Sequence, residues 1–443
     1  MASKPEMHLN IFAANAGHHE AAWRFRRTQP ERLGDLSYYQ EMARTAERGK
    51  FDSFFLGDRL ALGNVRYRAE GRFDPMMLLA ALASSTERIG LVATQSTTYT
   101  EPYNLARQFA SLDHLSGGRA GWNIVTSWDA NAAGNFGMVQ LIAHAERYAR
   151  ATEYLDVVMK LWDSWEDDAT VIDRERGVYV DTTRVHRIDH HGAAFDVNGP
   201  FNIPRMPQGR PLLVQAGSSD DGRAFAATYA EAIFTAQQDL GEAQAFYNDI
   251  KTRATALGRD ASKISILPGL CPIIGSTEAE AKAMEQELND LTIPELGLLT
   301  LSQRFNGVDF SVFPLDEPVP LDALPRPKEI EGAKSRAQLT FDLLEREPNL
   351  TLRNLLRRFA AAAGHRVVAG TPEQVADHMI DWVERGAADG FNIMPAELPD
   401  GLTDVVDCVV PILQQRGVFR KEYIGTTLRE HYGLERPESQ FSS

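Results

Sequence analysis

His144-Ala-Glu-Arg-Tyr148 sets a histidine and a tyrosine four residues apart in a stretch of helical periodicity, so both side chains leave one face. A tyrosine hydroxyl beside a switchable imidazole could grip a polyol chain and a phosphate, and an ordinary surface pair would share the spacing. A second pattern, Gln215-Ala-Gly-Ser218-Ser219-Asp-Asp-Gly222, runs from an apolar strand through small residues into a helical stretch. Backbone N–H groups at that helix start and two serine hydroxyls can meet a phosphate, although Ser219 could equally serve as the helix cap. Other polar residues stand at the ends of apolar runs: Asp58 after FDSFFL, Thr94 closing IGLVAT, and Asn123 within AGWNIV. The carboxyl ends of strands are where a parallel barrel gathers its chemistry, whereas a lone Asp after a strand is at least as often a turn-maker.

Other chemistries find less support. His18-His19 and His190-His191 are adjacent pairs, and metal-ligating histidines on one element need spacings that turn both rings inward, so no metal site is expected. No G-x-S-x-G elbow marks a hydrolase nucleophile. The turn after HLNIFA lacks the glycine spacing of a dinucleotide fold, and no Walker loop is present.

The elements that must position these residues read as βα units. Eight short apolar runs, His8 to Ala13, Phe51 to Leu56, Ile89 to Thr94, Ala120 to Val125, Pro211 to Gln215, Ala232 to Thr235, Ile264 to Leu270 and Gly390 to Met394, are each followed by a helical pattern. Runs that are apolar at nearly every position suit strands covered on both faces, and eight of them favour a closed (α/β)8 (TIM) barrel over an open doubly wound sheet. Residues 162–208 and 276–370 break the rhythm and read as insertions in a single domain spanning 1–443. Thr371-Pro-Glu-Gln374 predicts a capping-box start for a helix running to about Arg385. Cys271 and Cys408 sit in apolar surroundings and are expected to be buried thiols. The tail after Arg416 is expected to dock or fray.

A formal charge of −15 disfavours nucleic acid and anionic membranes as partners. No stretch approaches the length of a membrane helix and the first residues lack a signal-peptide core, so a cytoplasmic location is expected.

PYNLARQFASLDHLSGGRAGWNIVTS (Pro102 to Ser127), FDSFFLGD, HAERYARATEYLDVVMKLWDSW, LLVQAGSSDDGRAFAATYAEAIFT and GTPEQVADHMIDWVERGAADGFNIMP together resemble the nitrilotriacetate monooxygenase group of the bacterial-luciferase-like flavin monooxygenases. The resemblance covers nearly the whole chain, insertions included. It implies a luciferase-like barrel holding FMN non-covalently, with Asp58, Thr94, His144, Tyr148 and Ser218 as contacts and Asn123 and Ser219 as neighbouring ones. It also implies a two-component system, in which a separate NAD(P)H-dependent reductase supplies FMNH₂ and O₂ is the co-substrate. A flavin C4a-(hydro)peroxide would then oxygenate a small organic substrate.

Phe12, Phe54, Trp122 and Trp128 would wall a dry cavity, and His18 or His19, following the first strand, would be the proton donor. Two other readings stay open: an F420-dependent luciferase-like oxidoreductase, and a flavin-binding protein without turnover. The sequence leaves the substrate unnamed, and a homodimer or tetramer is the expected assembly.

Overall fold

The computed structural model describes residues 6–70, 73–127, 129–140, 142–217, 219–330 and 334–441. Its centre is a ring of eight parallel strands: β1 (His8–Ala13), β2 (Ser53–Leu56), β3 (Gly90–Ser96), β4 (Ala120–Val125), β5 (Leu212–Gln215), β6 (Ala232–Thr235), β7 (Ser265–Ile274) and β8 (Gly390–Ile393). Neighbours pair in chain order, and β8 closes the ring by pairing His8 with Gly390 through Ile11 with Ile393. All eight runs anticipated from the sequence form these strands, with ends shifted by a few residues. The largest shift is in β7, which continues to Ile274 because its second half pairs with an added strand, Arg366–Gly370.

Successive side chains alternate between two faces, which explains why the runs are apolar throughout. Phe54 and Trp122 face outward into the layer between strands and helices, where Trp122 meets Phe109, Tyr154 and Trp162. Phe55, one residue on from Phe54, faces the barrel interior with Phe12 and Phe234. Burying each such aromatic contributes about 1.5–3 kcal/mol. Of the four residues expected to wall a dry cavity, Phe12 is therefore interior and Phe54 and Trp122 are core packing, while Trp128 lies outside the described residues.

The amino end of the barrel is plugged by the chain's own tail. Helix Leu428–His431 inserts Leu428 so closely that a Cβ at Gly90 would fall 2.3 Å from its Cδ1, so only glycine fits there. Tyr432 donates its hydroxyl to Asn10 Oδ1 at 3.0 Å, inside the ring. Arg429 grips Glu231 with two hydrogen bonds of 2.9 and 2.7 Å. Burial alone would raise the Glu231 carboxyl, but Arg429 and Arg210 hold it below the usual range.

The second irregular segment extends the barrel at its carboxyl end, whereas the first leads into the start of β5 at the amino end, where Gln208 Oε1 accepts from Arg429 N and Asp167 pairs with Arg436 of the tail. The first carries two hairpins, Thr170–Asp173 with Val178–Val180 and His190–His191 with Asp196–Val197. The second is mainly helical (Glu278–Asp290, Pro294–Arg304, Lys334–Arg346, Leu352–Ala362) and has its own apolar cluster around Phe305, Phe310, Phe341 and Leu355. It ends at Thr371, whose side chain accepts from Gln374 N while the Gln374 side chain accepts from Thr371 N, the anticipated capping box.

One cysteine departs from expectation. Cys271 is buried in β7, but Cys408 is exposed. It lies in a π-helical turn, Val405–Val409, that turns Val405, Val406 and Val409 to the core and Asp407 and Cys408 outward. Among the described residues no helix is long and apolar enough to cross a membrane.

Candidate active site

A cavity of about 410 Å³ opens at the carboxyl ends of β2, β3 and β4. Asp58, Thr94, Ser96 and Ser127 come from these strand ends, Arg68 from the loop after β2, and Thr300, Arg304 and Arg336 from the second irregular segment. On its floor the Thr94 hydroxyl accepts from Asn123 Nδ2 at 2.9 Å, and both side chains are buried. The Asn123 Oδ1 has no hydrogen-bond partner among the described residues. A buried orphan acceptor costs roughly 1–3 kcal/mol, a cost that a ligand N–H or O–H would remove. Asp58 accepts from the Arg59 N–H at 2.8 Å, and Arg59 pairs with Asp129 at 3.4 Å. Ser127, held at a left-handed φ of 46°, donates its hydroxyl to Ser96 Oγ at 2.7 Å.

The end of β4 joins this floor to a second group. Thr126 and Ser219 both hydrogen-bond the Tyr148 hydroxyl; burial raises that phenol, and the two bonds offset part of the shift. Tyr148 lies one turn into helix His144–Asp163, with its ring 5.0 Å from that of His144, so the pair does share a face. His144 Nδ1 is 2.9 Å from Asp221 Oδ2, in the first turn of helix Asp220–Tyr229. Two helix amino ends therefore meet here, and each presents N–H groups without intrahelical partners. Ser219 caps the second helix by accepting from Gly222 N at 3.2 Å. A Cβ on Gly217 or Gly222 would lie 3.1 or 3.0 Å from the Tyr148 hydroxyl, so the glycines let the turn close around it. Ser218 lies outside the described residues.

The two histidines after β1 differ. The His18 ring meets the Phe12 carbonyl through Nε2 at 2.6 Å and packs 5.0 Å from the Phe12 ring, at the top of the barrel interior. His19 is buried with its Nδ1 accepting from Ala21 N at 3.1 Å, and its other edge faces Asn289. Burial lowers its pKa to about 4, with Asn289 opposing, so the ring is neutral at pH 7 and turned to a helix instead of the cavity residues named above.

Sequence reasoning missed the arginines Arg68, Arg304 and Arg336, and also His365, which stacks on Phe234 with ring centroids 5.0 Å apart. They belong to segments without barrel periodicity, and only a run such as LSQRF or GHRVV, a charged residue beside apolar ones, carries any trace of them.

This donor set suits a flavin mononucleotide. The helix amino ends, Tyr148 and Ser219 offer a phosphate cradle, and the Asn123 acceptor and Thr94 offer polar contacts at the strand ends.

Residues 7–389 match the family described as luciferase-like monooxygenase. N-acetyl-S-(2-succino)cysteine monooxygenase of Bacillus subtilis (strain 168) is 50% identical, covering 99% of both chains. Nitrilotriacetate monooxygenase component A of Aminobacter aminovorans is 46% identical, again covering 99% of both. Among solved structures, riboflavin lyase with modified FMN and substrate riboflavin is 33% identical, with a TM-score of 0.85 and coverage of 98% of this chain and 97% of that one. The chain belongs to the luciferase-like monooxygenase family and is a monooxygenase. Its barrel brings the polar strand ends Asp58, Thr94, Ser96 and Ser127 around one cavity.

Proposed function

We propose that this chain is the oxygenase component of a two-component system, using reduced FMN and O₂ to oxygenate a small organic substrate. The observation that carries the reading is the end of β4. There Asn123 offers a free buried acceptor beside Thr94, and Thr126 ties the same strand to Tyr148 and the helix amino ends. One strand thus links contacts for a polar ring system to contacts for a phosphate. The riboflavin lyase structure, which holds modified FMN and aligns over nearly the full length, supports the choice of cofactor.

In this reading Tyr148, His144, Ser218 and Ser219 hold the phosphate and polyol part, and Asp58, Thr94 and Asn123 orient the ring. Bound FMN, once reduced, supplies O₂ activation. Phe12, Phe55 and Phe234 keep the interior end apolar and exclude water. His18, at the top of that interior, is the proposed proton donor, and His19 supports its loop from outside the cavity. The reductase is a separate NAD(P)H-dependent protein, the chain works as one barrel unit with two insertions in the cytoplasm, and the assembly is a homodimer or tetramer.

The test combines the protein with FMN, NADH and a flavin reductase under ¹⁸O₂ and follows label by mass spectrometry across candidate substrates. Incorporation of one labelled oxygen atom into product supports the reading. Release of hydrogen peroxide alone with every substrate would favour a flavin-binding protein without turnover, and saturable binding of F420 in preference to FMN would favour hydride transfer.

A further inference from the structure

We propose that Glu397 is a positioning residue that acts through His18: it ties the loop after β8 to both ends of the loop after β1, and its protonated form is the one that seats that loop firmly. The proposal rests on the reading of His18 as proton donor and adds the device that holds it in place.

Backbone contacts fix the first end. His18 N donates to the Pro395 carbonyl at 2.9 Å, His19 N to the Ala396 carbonyl at 3.0 Å, and Leu398 N to the Ala16 carbonyl at 2.8 Å. Glu397 stands at the centre of this short ladder. A Cβ on Gly17, whose φ is 137°, would fall 2.5 Å from the Glu397 Cα, so only glycine lets the two loops approach this closely.

The Glu397 side chain reaches the other end. Its Oε1 lies 3.4 Å from Arg27 Nε, and Thr28, the next residue, forms an isolated β-bridge with Pro399. Glu397 is only 3% exposed, and its Oε2 has no hydrogen-bond partner among the described residues. A buried carboxylate with an unused oxygen is costly, and a proton on that oxygen removes the charge.

The charges around this carboxyl favour the proton. Arg27 is shared with Asp404, at 2.6 Å, and Asp400, at 3.5 Å, both on helix Asp400–Asp404, so one guanidinium meets three carboxylates. From helix Leu36–Arg48 Tyr38 faces Glu397, from helix Glu278–Asp290 Glu280 faces Arg27, and Asp407 faces Asp404. The arginines nearby are engaged elsewhere, Arg48 with Asp407 and Arg32 with Glu41, and Ile273, Met284 and Leu288 line the same crevice without charge. Burial raises Glu397 from the ordinary 4.5 to about 7; Arg27 opposes the rise, and Asp400 and Asp404 add to it. Because the folded value lies above the unfolded one, the stabilisation given by the protonated clamp is complete below pH 4.5 and is lost as pH rises through about 7. Ionisation sets a third negative charge beside two others, and the loop that carries His18 loosens.

Amide hydrogen exchange of the full-length chain, with and without FMN and corrected for the intrinsic rate at each pH, reads the clamp at residues 14–28. Between about pH 6 and about pH 8 protection there should fall by about fivefold or more in the wild type, whereas Glu397→Gln, uncharged throughout, should hold it within about twofold. Asp400→Asn removes one facing charge and should move the midpoint of the fall by about half a unit to lower pH. With a substrate found under ¹⁸O₂, kcat should decline above about pH 7 while KM changes by less than about twofold, and Glu397→Gln should remove that decline. Equal wild-type protection at the two pH values, the same fall in Glu397→Gln, or a loosened loop with an unaltered kcat profile would each overturn the proposal. If no substrate is oxygenated the oxygenase reading fails instead, and exchange still decides whether Glu397 clamps the loop.

Discussion

At the scale of single residues, the candidate site turns on whether polar atoms left open in the fold meet a ligand. The Tyr148 hydroxyl is tied to Thr126 and Ser219 above a turn that only glycine allows. Tyr148→Phe removes one donor and should weaken FMN by about two- to tenfold, measured by fluorescence quenching, while unfolding changes by no more than about 1 kcal/mol. His19 gives a pH signature. Its folded pKa of about 4 lies below the ordinary histidine value of 6.5, so its neutral form stabilises the fold above pH 6.5. As pH falls toward 4 the unfolded chain takes up a proton that the native ring refuses, and that contribution is lost. Denaturant unfolding should therefore steepen its decline between pH 6.5 and 4, and His19→Gln should flatten it; an unaltered slope would remove His19 from the account. The i,i+4 pair and the small-residue turn were legible because local spacing specifies them. Arg304 and His365 were not, because their meaning comes from which strand end a distant helix covers.

At the scale of elements, caps and plugs can be tested one by one. Thr371 carries the anticipated capping box, and Thr371→Ala should cost about 1 kcal/mol in denaturant unfolding. Leu428 fills space that Gly90 and Gly121 leave open inside the ring, so Leu428→Ala should cost about 2–5 kcal/mol through the cavity it creates. The strands were readable because β-branched and aromatic runs buried on both faces have few other uses. Which of two adjacent aromatics faces inward was not, and Phe54 and Phe55 show why: a single step along β2 exchanges the helix layer for the interior. Cys408 escaped for a similar reason, since a π-helical turn breaks the periodicity that an apolar run suggests.

At the scale of the whole molecule, the barrel is closed at its amino end by its tail, against which the first irregular segment packs, and is built over at its carboxyl end by the second. The tail is held by the buried Arg429 to Glu231 pair, and Arg429→Ala would leave Glu231 charged and largely unmatched in the core. Such a loss should destabilise the protein by about 3–5 kcal/mol, read as a lower midpoint of chemical unfolding, with the FMN site affected only through that unfolding. The most direct test of the central claim is titration of the purified protein with FMN, followed by quenching of flavin fluorescence, in the wild type and in Tyr148→Phe. The account expects saturable binding of one FMN per chain, weakened in the variant. Absence of saturable binding, or equal affinity in the two proteins, would contradict it.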